Sequence, residues 1–250
     1  MQNFDSLFFA NADDLSRVVA SAWLGEIESA SRAGKPHCVA LSGGRITQKF
    51  FTATVEQAKA RVISFARVHF FWADERCVPP DNSDSNFKMA SELLFTPLKV
   101  PASQIHRIRG EEPPDKAAAL ATAEMIRIVP TASPSPRRGE GVHSLPVLDL
   151  IFLGMGEDGH VASLFPDAPP EILNCTAPFL AVENSPKPPP RRISLSYAAI
   201  AAAKQVWVLA SGTGKETALR ESLRPGGQTP LAHVLQSRSR TKVFCDIRLD

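Results

Sequence analysis

The chain has 250 residues, 44% of them hydrophobic and 22% charged, the composition of an ordinary globular protein and not of a disordered one. Its 28 basic and 26 acidic residues leave a net charge of +2, which gives no global pull towards nucleic acid or membranes, so any anion site must be built locally. Residues 1–9 lack a basic leader and no apolar run is as long as a membrane span, so a soluble, cytoplasmic protein is expected.

Asn11 to Arg32 places Leu15, Val18, Val19, Ala22, Trp23 and Ile27 at helical spacing, with Asp13 and Asp14 at the helix's positive end. Gly34-Lys35-Pro36 stops it. His37 to Leu41 is a short apolar strand, broken by Ser42-Gly43-Gly44, and a second helix runs from about Thr47 to Lys59. Arg67 to Ala73 reads as a strand ending in Asp74-Glu75-Arg76. After a turn rich in Pro, Asp, Asn and Ser, Phe87 to Phe95 resumes helical periodicity, with Ser85 or Asn86 placed to cap it. Lys116 to Val129 is an alanine-rich helix. Pro130 to Pro146 is crowded with Pro, Ser, Arg and Gly and has no periodicity; it reads as a flexible insertion, 130–146, within a single domain spanning 1–250.

Val147 to Phe152 is a buried strand, and Phe179 to Val182 a further one. Helix over Tyr197 to Lys204, strand over Gln205 to Ser211, helix over Glu216 to Leu223 and strand over Thr241 to Ile247 complete the chain. Strands alternating with helices predict an α/β fold, a largely parallel open sheet with helices on both faces. Cys38, Cys77, Cys175 and Cys245 are far apart and form no C-x-x-C pair, so they read as free thiols.

In an open parallel sheet, ligands bind beyond the carboxyl ends of the strands. Four strands here end in unusual loops: Ser42 to Arg45, Asp74 to Arg76, Gly154 to His160 and Ser211 to Lys215. The first and last suit phosphate, since a glycine-rich turn opening a helix aims backbone N–H groups at an anion. Arg45 and Lys215 add formal charge there, although neither loop has Walker A or dinucleotide spacing. Arg76 is expected to reach into the cleft, held by one of its acidic neighbours. Lys187-Pro188-Pro189-Pro190-Arg191-Arg192 is a stiff cationic arm. In the third loop, Asp158 and His160 pair a carboxylate with an imidazole at a strand end, as proton transfer requires. Gly-x-Ser-x-Gly is absent, which argues against Ser163 as a nucleophile, and His160 has no nearby partner for zinc.

Taken together, Ser42-Gly43-Gly44-Arg45, Asp74-Glu75-Arg76 with Ser85-Asn86, Leu153 to Pro166, Lys187 to Ile193 and Gly212 to Lys215 resemble the 6-phosphogluconolactonase family in content, order and spacing over roughly residues 10–245. The resemblance implies a sugar-phosphate isomerase-like three-layer α/β sandwich, shared with glucosamine-6-phosphate deaminase. It also implies hydrolysis of 6-phosphoglucono-δ-lactone to 6-phosphogluconate in the oxidative pentose phosphate pathway, with no metal or organic cofactor. The expected partner is that small phosphosugar lactone, with no nucleic acid and no membrane, and the expected state is a monomer or weak homo-oligomer.

The expected catalytic groups are His160, Asp158, Arg76 and Asp74. Gly43, Gly44, Arg45, Ser85, Asn86, Lys187, Arg192 and Lys215 are the expected substrate- and phosphate-binding groups. Deaminases typically carry Asp-Glu-Tyr in the second loop and a run resembling Ile-Ala-Phe-Asn-Glu-Pro after the Gly-His pair. This chain has Asp74-Glu75-Arg76 and Val161-Ala162-Ser163-Leu164-Phe165-Pro166, without that acid. It departs from the lactonases at Val161, usually threonine, at Ile46-Thr47, and in the 130–146 insertion. A deaminase-like enzyme and a non-catalytic sugar-phosphate binder on the same scaffold are the alternatives.

Overall fold

The computed structural model describes residues 4–131 and 145–249. Most of the expected 130–146 insertion therefore lies outside the described residues. At its ends, Thr131 and Pro146 form an antiparallel bridge and the Val147 N–H donates to the Pro130 carbonyl at 2.9 Å.

Six strands form one parallel sheet: β1 (Phe4–Phe8), β2 (His37–Leu41), β3 (Val68–Trp72), β5 (Leu150–Gly154), β8 (Gln205–Ala210) and β9 (Thr241–Cys245), in the order β1-β9-β8-β5-β2-β3. The chain steps outward from β2 to β3, then returns to β5 on the other side of β2 and continues away through β8 and β9. Strand order thus reverses between β2 and β5, where an open sheet forms its ligand crevice.

Helices α1 (Ala12–Arg32) and α2 (Arg45–Arg61) pack together over one face of this sheet. Asn11 caps α1, its side chain accepting from the N–H groups of Asp13 and Asp14 at 3.0 and 2.9 Å. Trp23 of α1 meets Phe50 of α2 and Phe152 of β5 at ring-centroid distances of 5.5 and 5.3 Å, and Phe152 meets Trp207 of β8 at 5.7 Å. Each such pair contributes about 0.5–1.5 kcal/mol beyond the area it buries.

Further along lie α3 (Asn86–Ala90), continuing through a π turn at Ser91–Phe95 into α4 (Thr96–Leu98), and α5 (Pro114–Ile128). After β5 come α6 (Pro170–Leu173), α7 (Tyr197–Ala202), α8 (Glu216–Leu223) and α9 (Pro230–Gln236). No described helix is long and apolar enough to cross a membrane.

A second sheet is absent from the sequence reading. β4 (Asp74–Arg76), β7 (Arg192–Leu195) and β6 (Phe179–Val182) pair antiparallel in the order β4-β7-β6. Its registers set Arg76 against Arg192 and Asp74 against Ser194, so this small sheet carries charged groups to the rim of the large one. Strand β1 and helix α9 were also not expected.

Three histidines sit away from that rim. The Trp23 indole N–H donates to His37 Nε2 at 3.2 Å; His69 Nδ1 meets His106 Nε2 at 3.0 Å, and His106 Nδ1 meets Glu124 at 2.7 Å. Burial pulls all three imidazoles below their ordinary pKa, outweighing Asp149 at His37 and Glu124 at His106. The unfolded chain protonates first, near pH 6.5. The stability these neutral rings contribute is therefore complete above about pH 6.5 and is lost as pH falls towards their folded pKa values. Thermal melts from about pH 7.5 down to about 5.5 should show a falling Tm; a flat Tm would show that the rings are not held neutral.

Candidate active site

The four loops expected to meet do meet. They line a cleft of about 300 Å³ that holds Gly43, Gly44, Arg45, Asp74, Arg76, His160, Lys187, Arg192 and Lys215 on its walls. The loops after β2 and β5 are tied together where the Ser42 hydroxyl donates to the Phe152 carbonyl at 2.8 Å. Gly44, at φ +108, turns the chain from β2 into α2, which starts at Arg45, two residues earlier than expected. Among the described residues no side chain caps this helix, which leaves its first N–H groups available to an anion.

Lys215 stands at the start of α8. Burial and the nearby Arg45 and Lys187 charges depress its ammonium pKa, while Glu157 and Asp246 oppose them. Among the described residues, Arg45, Lys187 and Lys215 form no ion pair. One part of the cleft thus gathers cations with no protein counter-ion in contact.

His160 Nδ1 lies 2.5 Å from Asp158 Oδ1, and that oxygen also accepts the His160 backbone N–H at 3.2 Å. The imidazole packs on the Phe165 ring, centroids 4.6 Å apart, and is 16% exposed. Burial drives its pKa down further than Asp158 raises it, and Lys187 adds to the depression. At neutral pH the ring is therefore uncharged. With Nδ1–H donating to the Asp158 carboxylate, Nε2 is the basic nitrogen. Burial is the largest single influence on Asp158 and works against its charge, but the hydrogen bonds and charge of His160, together with the Lys187 charge, jointly outweigh it and hold the carboxyl below its usual range. Asp158 sits behind His160 and is not among the residues lining the cleft.

Asp74 is buried and accepts from the Ser163 hydroxyl at 2.7 Å, with Arg192 Nη1 at 4.0 Å. Ser163 therefore serves Asp74 and is not paired with a histidine. Arg76 lines the cleft, but among the described residues no acidic side chain holds it: its Nη1 donates to the Asp84 carbonyl at 2.7 Å. Its Nε is buried without a partner among the described residues. Arg192 differs most from expectation. Its Nε donates to the Pro189 carbonyl and its Nη2 to the carbonyls of Lys187 and Pro188, at 3.0–3.1 Å. Most of this guanidinium folds the arm that carries Lys187, and only Nη1 is left towards Asp74.

Ser85 and Asn86 stand outside the cleft lining, against expectation. Together with backbone N–H groups of Arg76, Asn86 and Phe87, the Ser85 hydroxyl satisfies the Glu75 carboxylate. Burial still pushes the Glu75 pKa up against those bonds. The Asn86 amide donates to the Asp74 carbonyl at 2.9 Å, and its Oδ1 would lie 1.9 Å from a Cβ on Gly43. Both residues act on the site by shaping its backbone. The sequence reading missed Glu157, an exposed acid on the cleft wall; its place between Gly156 and Asp158 was the available signal. Among the described residues, no group of three or more His, Cys, Asp or Glu is placed to hold a metal ion.

Residues 10–244 match the family described as glucosamine-6-phosphate isomerases/6-phosphogluconolactonase. The 6-phosphogluconolactonase of Mycobacterium tuberculosis is 34% identical over 227 residues, 90% of this chain and 87% of that protein. The solved 6-phosphogluconolactonase from Trypanosoma brucei superposes with a TM-score of 0.83 at 26% identity, covering 98% of this chain and 96% of that one. A monomeric glucosamine-6-phosphate deaminase superposes with a TM-score of 0.76 at 15% identity over 96% of each chain, a likeness of fold alone.

Proposed function

We propose that this chain, which belongs to the glucosamine-6-phosphate isomerase and 6-phosphogluconolactonase family, hydrolyses 6-phosphoglucono-δ-lactone to 6-phosphogluconate in the oxidative pentose phosphate pathway. One observation carries this reading: a neutral imidazole, backed by a carboxylate, shares a cleft with cations that have no ion-pair partner among the described residues.

A δ-lactone is an activated cyclic ester, so the protein must deliver water to C1 and stabilise the oxyanion that forms. His160 Nε2 takes a proton from the attacking water as its oxygen bonds to C1, and Asp158 stabilises the resulting imidazolium. The tetrahedral oxyanion is held by the Arg76 guanidinium, which lines the cleft, in a site partly shielded from water, where such a donor acts most strongly. Collapse breaks the bond from C1 to the ring oxygen, and the imidazolium returns the proton to that oxygen. The C1 acid then ionises.

The 6-phosphate is gripped by the Gly43-Gly44 loop, the first turn of α2, Arg45, Lys187 and Lys215. Arg192 supports that grip through the arm, and Ser85 and Asn86 through the loop backbone. Asp74, buried beside Arg192, sets the charge of the wall facing the imidazole.

Purified protein added to freshly generated lactone should release acid faster than the spontaneous background, and glucosamine-6-phosphate should yield no ammonia. Binding of 6-phosphogluconate with lactone opening at the background rate would instead favour a non-catalytic binder.

A further inference from the structure

Glu157 has an unusual position for an acid in a cleft that receives a phosphate. It is exposed on the cleft wall, and its side chain lies against the residue preceding Lys215: a Cβ on Gly214 would come within 3.8 Å of Glu157 Cδ and 3.9 Å of Oε1. It makes no ion pair among the described residues. The carboxylate therefore stands beside the loop that carries Lys215 without pairing with any of the three cations. Its influence on Lys215 is nonetheless felt, since it opposes the pKa depression that burial, Arg45 and Lys187 impose there.

A phosphate monoester carries roughly 1.5 to 2 negative charges at neutral pH. Arg45, Lys187 and Lys215 together exceed that charge, and in a partly buried cleft such an excess binds substrate and product alike. Binding both equally tightly does nothing for the chemical step and slows product departure. An acid set beside the cations offsets the excess.

We propose that Glu157 sets phosphate affinity in this site: its carboxylate opposes the bound phosphate and keeps ligand affinity below what the three cations would give alone. This rests on the lactonase reading only in placing the phosphate among Arg45, Lys187 and Lys215. The residue acts on the charge of the site, not on the reacting atoms, so its signature is electrostatic.

The test is calorimetric titration of the whole protein with inorganic phosphate. Glu157→Gln preserves the side chain's size and removes its charge, and should tighten binding about three- to tenfold at low ionic strength. The difference should shrink as salt is added, and Glu157→Asp, which restores the charge, should return affinity towards wild type. Equal or weaker binding by Glu157→Gln would overturn the proposal. So would a wild-type protein that opens the lactone yet binds no phosphate, which leaves the catalytic reading standing. A wild type that does neither removes both.

Discussion

His160→Ala is expected to lower kcat by about 10²–10⁴-fold while leaving 6-phosphogluconate affinity close to wild type, because general-base assistance is lost and the cationic wall is untouched. The fold should survive. The side chain is 16% exposed, and its contacts are with Asp158 and Phe165, both part of the same loop. The wild-type pH profile supplies an independent check. Burial holds the imidazole below its ordinary pKa despite Asp158, and the base form is the active one. Thus kcat/KM should stay level as pH falls through about 6.5 and decline only below it. An acid limb centred at the ordinary imidazole value would mean that the titrating base is not this buried ring. Unchanged turnover in His160→Ala would remove the imidazole from the mechanism altogether.

The catalytic rim was readable in the sequence because each of its loops follows an apolar strand and breaks it with glycine or charge. Ser42-Gly43-Gly44 after His37–Leu41 and Gly154 to His160 after Leu150–Phe152 both show that abrupt change. The small sheet was hidden for the opposite reason. Asp74-Glu75-Arg76 reads as the charged end of a strand at the cleft, not as a strand of a second sheet; Asp74 and Glu75 are buried, Asp74 accepting from the distant Ser163 and Glu75 from the Asn86 N–H. Nothing local announces those partners. Arg192 was hidden likewise: a cation at the end of a proline-rich arm suggests a ligand contact, whereas its guanidinium donates mainly to the arm's own carbonyls. Ser85 was legible as a helix cap, and it does accept from the Lys88 N–H at 3.2 Å. That its hydroxyl also serves Glu75 depends on a tertiary approach that spacing does not encode. Strand β1 is short and half-exposed at the sheet's edge, so it lacks the apolar run that marks the inner strands.

Gly156→Ala, which removes no catalytic group, is expected to lower kcat by about 10²-fold. The backbone at Gly156 lies outside the positive-φ region, so alanine meets no conformational penalty there. The obstacle is steric. A Cβ would stand 2.0 Å from His160 Nδ1, 2.1 Å from its Cε1 and 2.6 Å from Asp158 Oδ1. The imidazole and the carboxylate that orients it must both shift, and neither is the loose end of a flexible chain. Each is tethered: the ring to Asp158, and the loop by the Gly156 N–H on the His160 carbonyl at 2.9 Å. A displacement of about 1 Å at a reacting group can cost on the order of 10²-fold in rate, whereas overpacking of this size typically costs about 1–3 kcal/mol of stability. The variant should therefore melt somewhat earlier, bind inorganic phosphate as wild type does, and turn over slowly. That split separates a misplaced base from a damaged fold, since a damaged fold would weaken phosphate binding as well. Wild-type kcat in Gly156→Ala would mean that the Asp158–His160 pair can move without consequence, and the proton would then have to be handled elsewhere in the cleft.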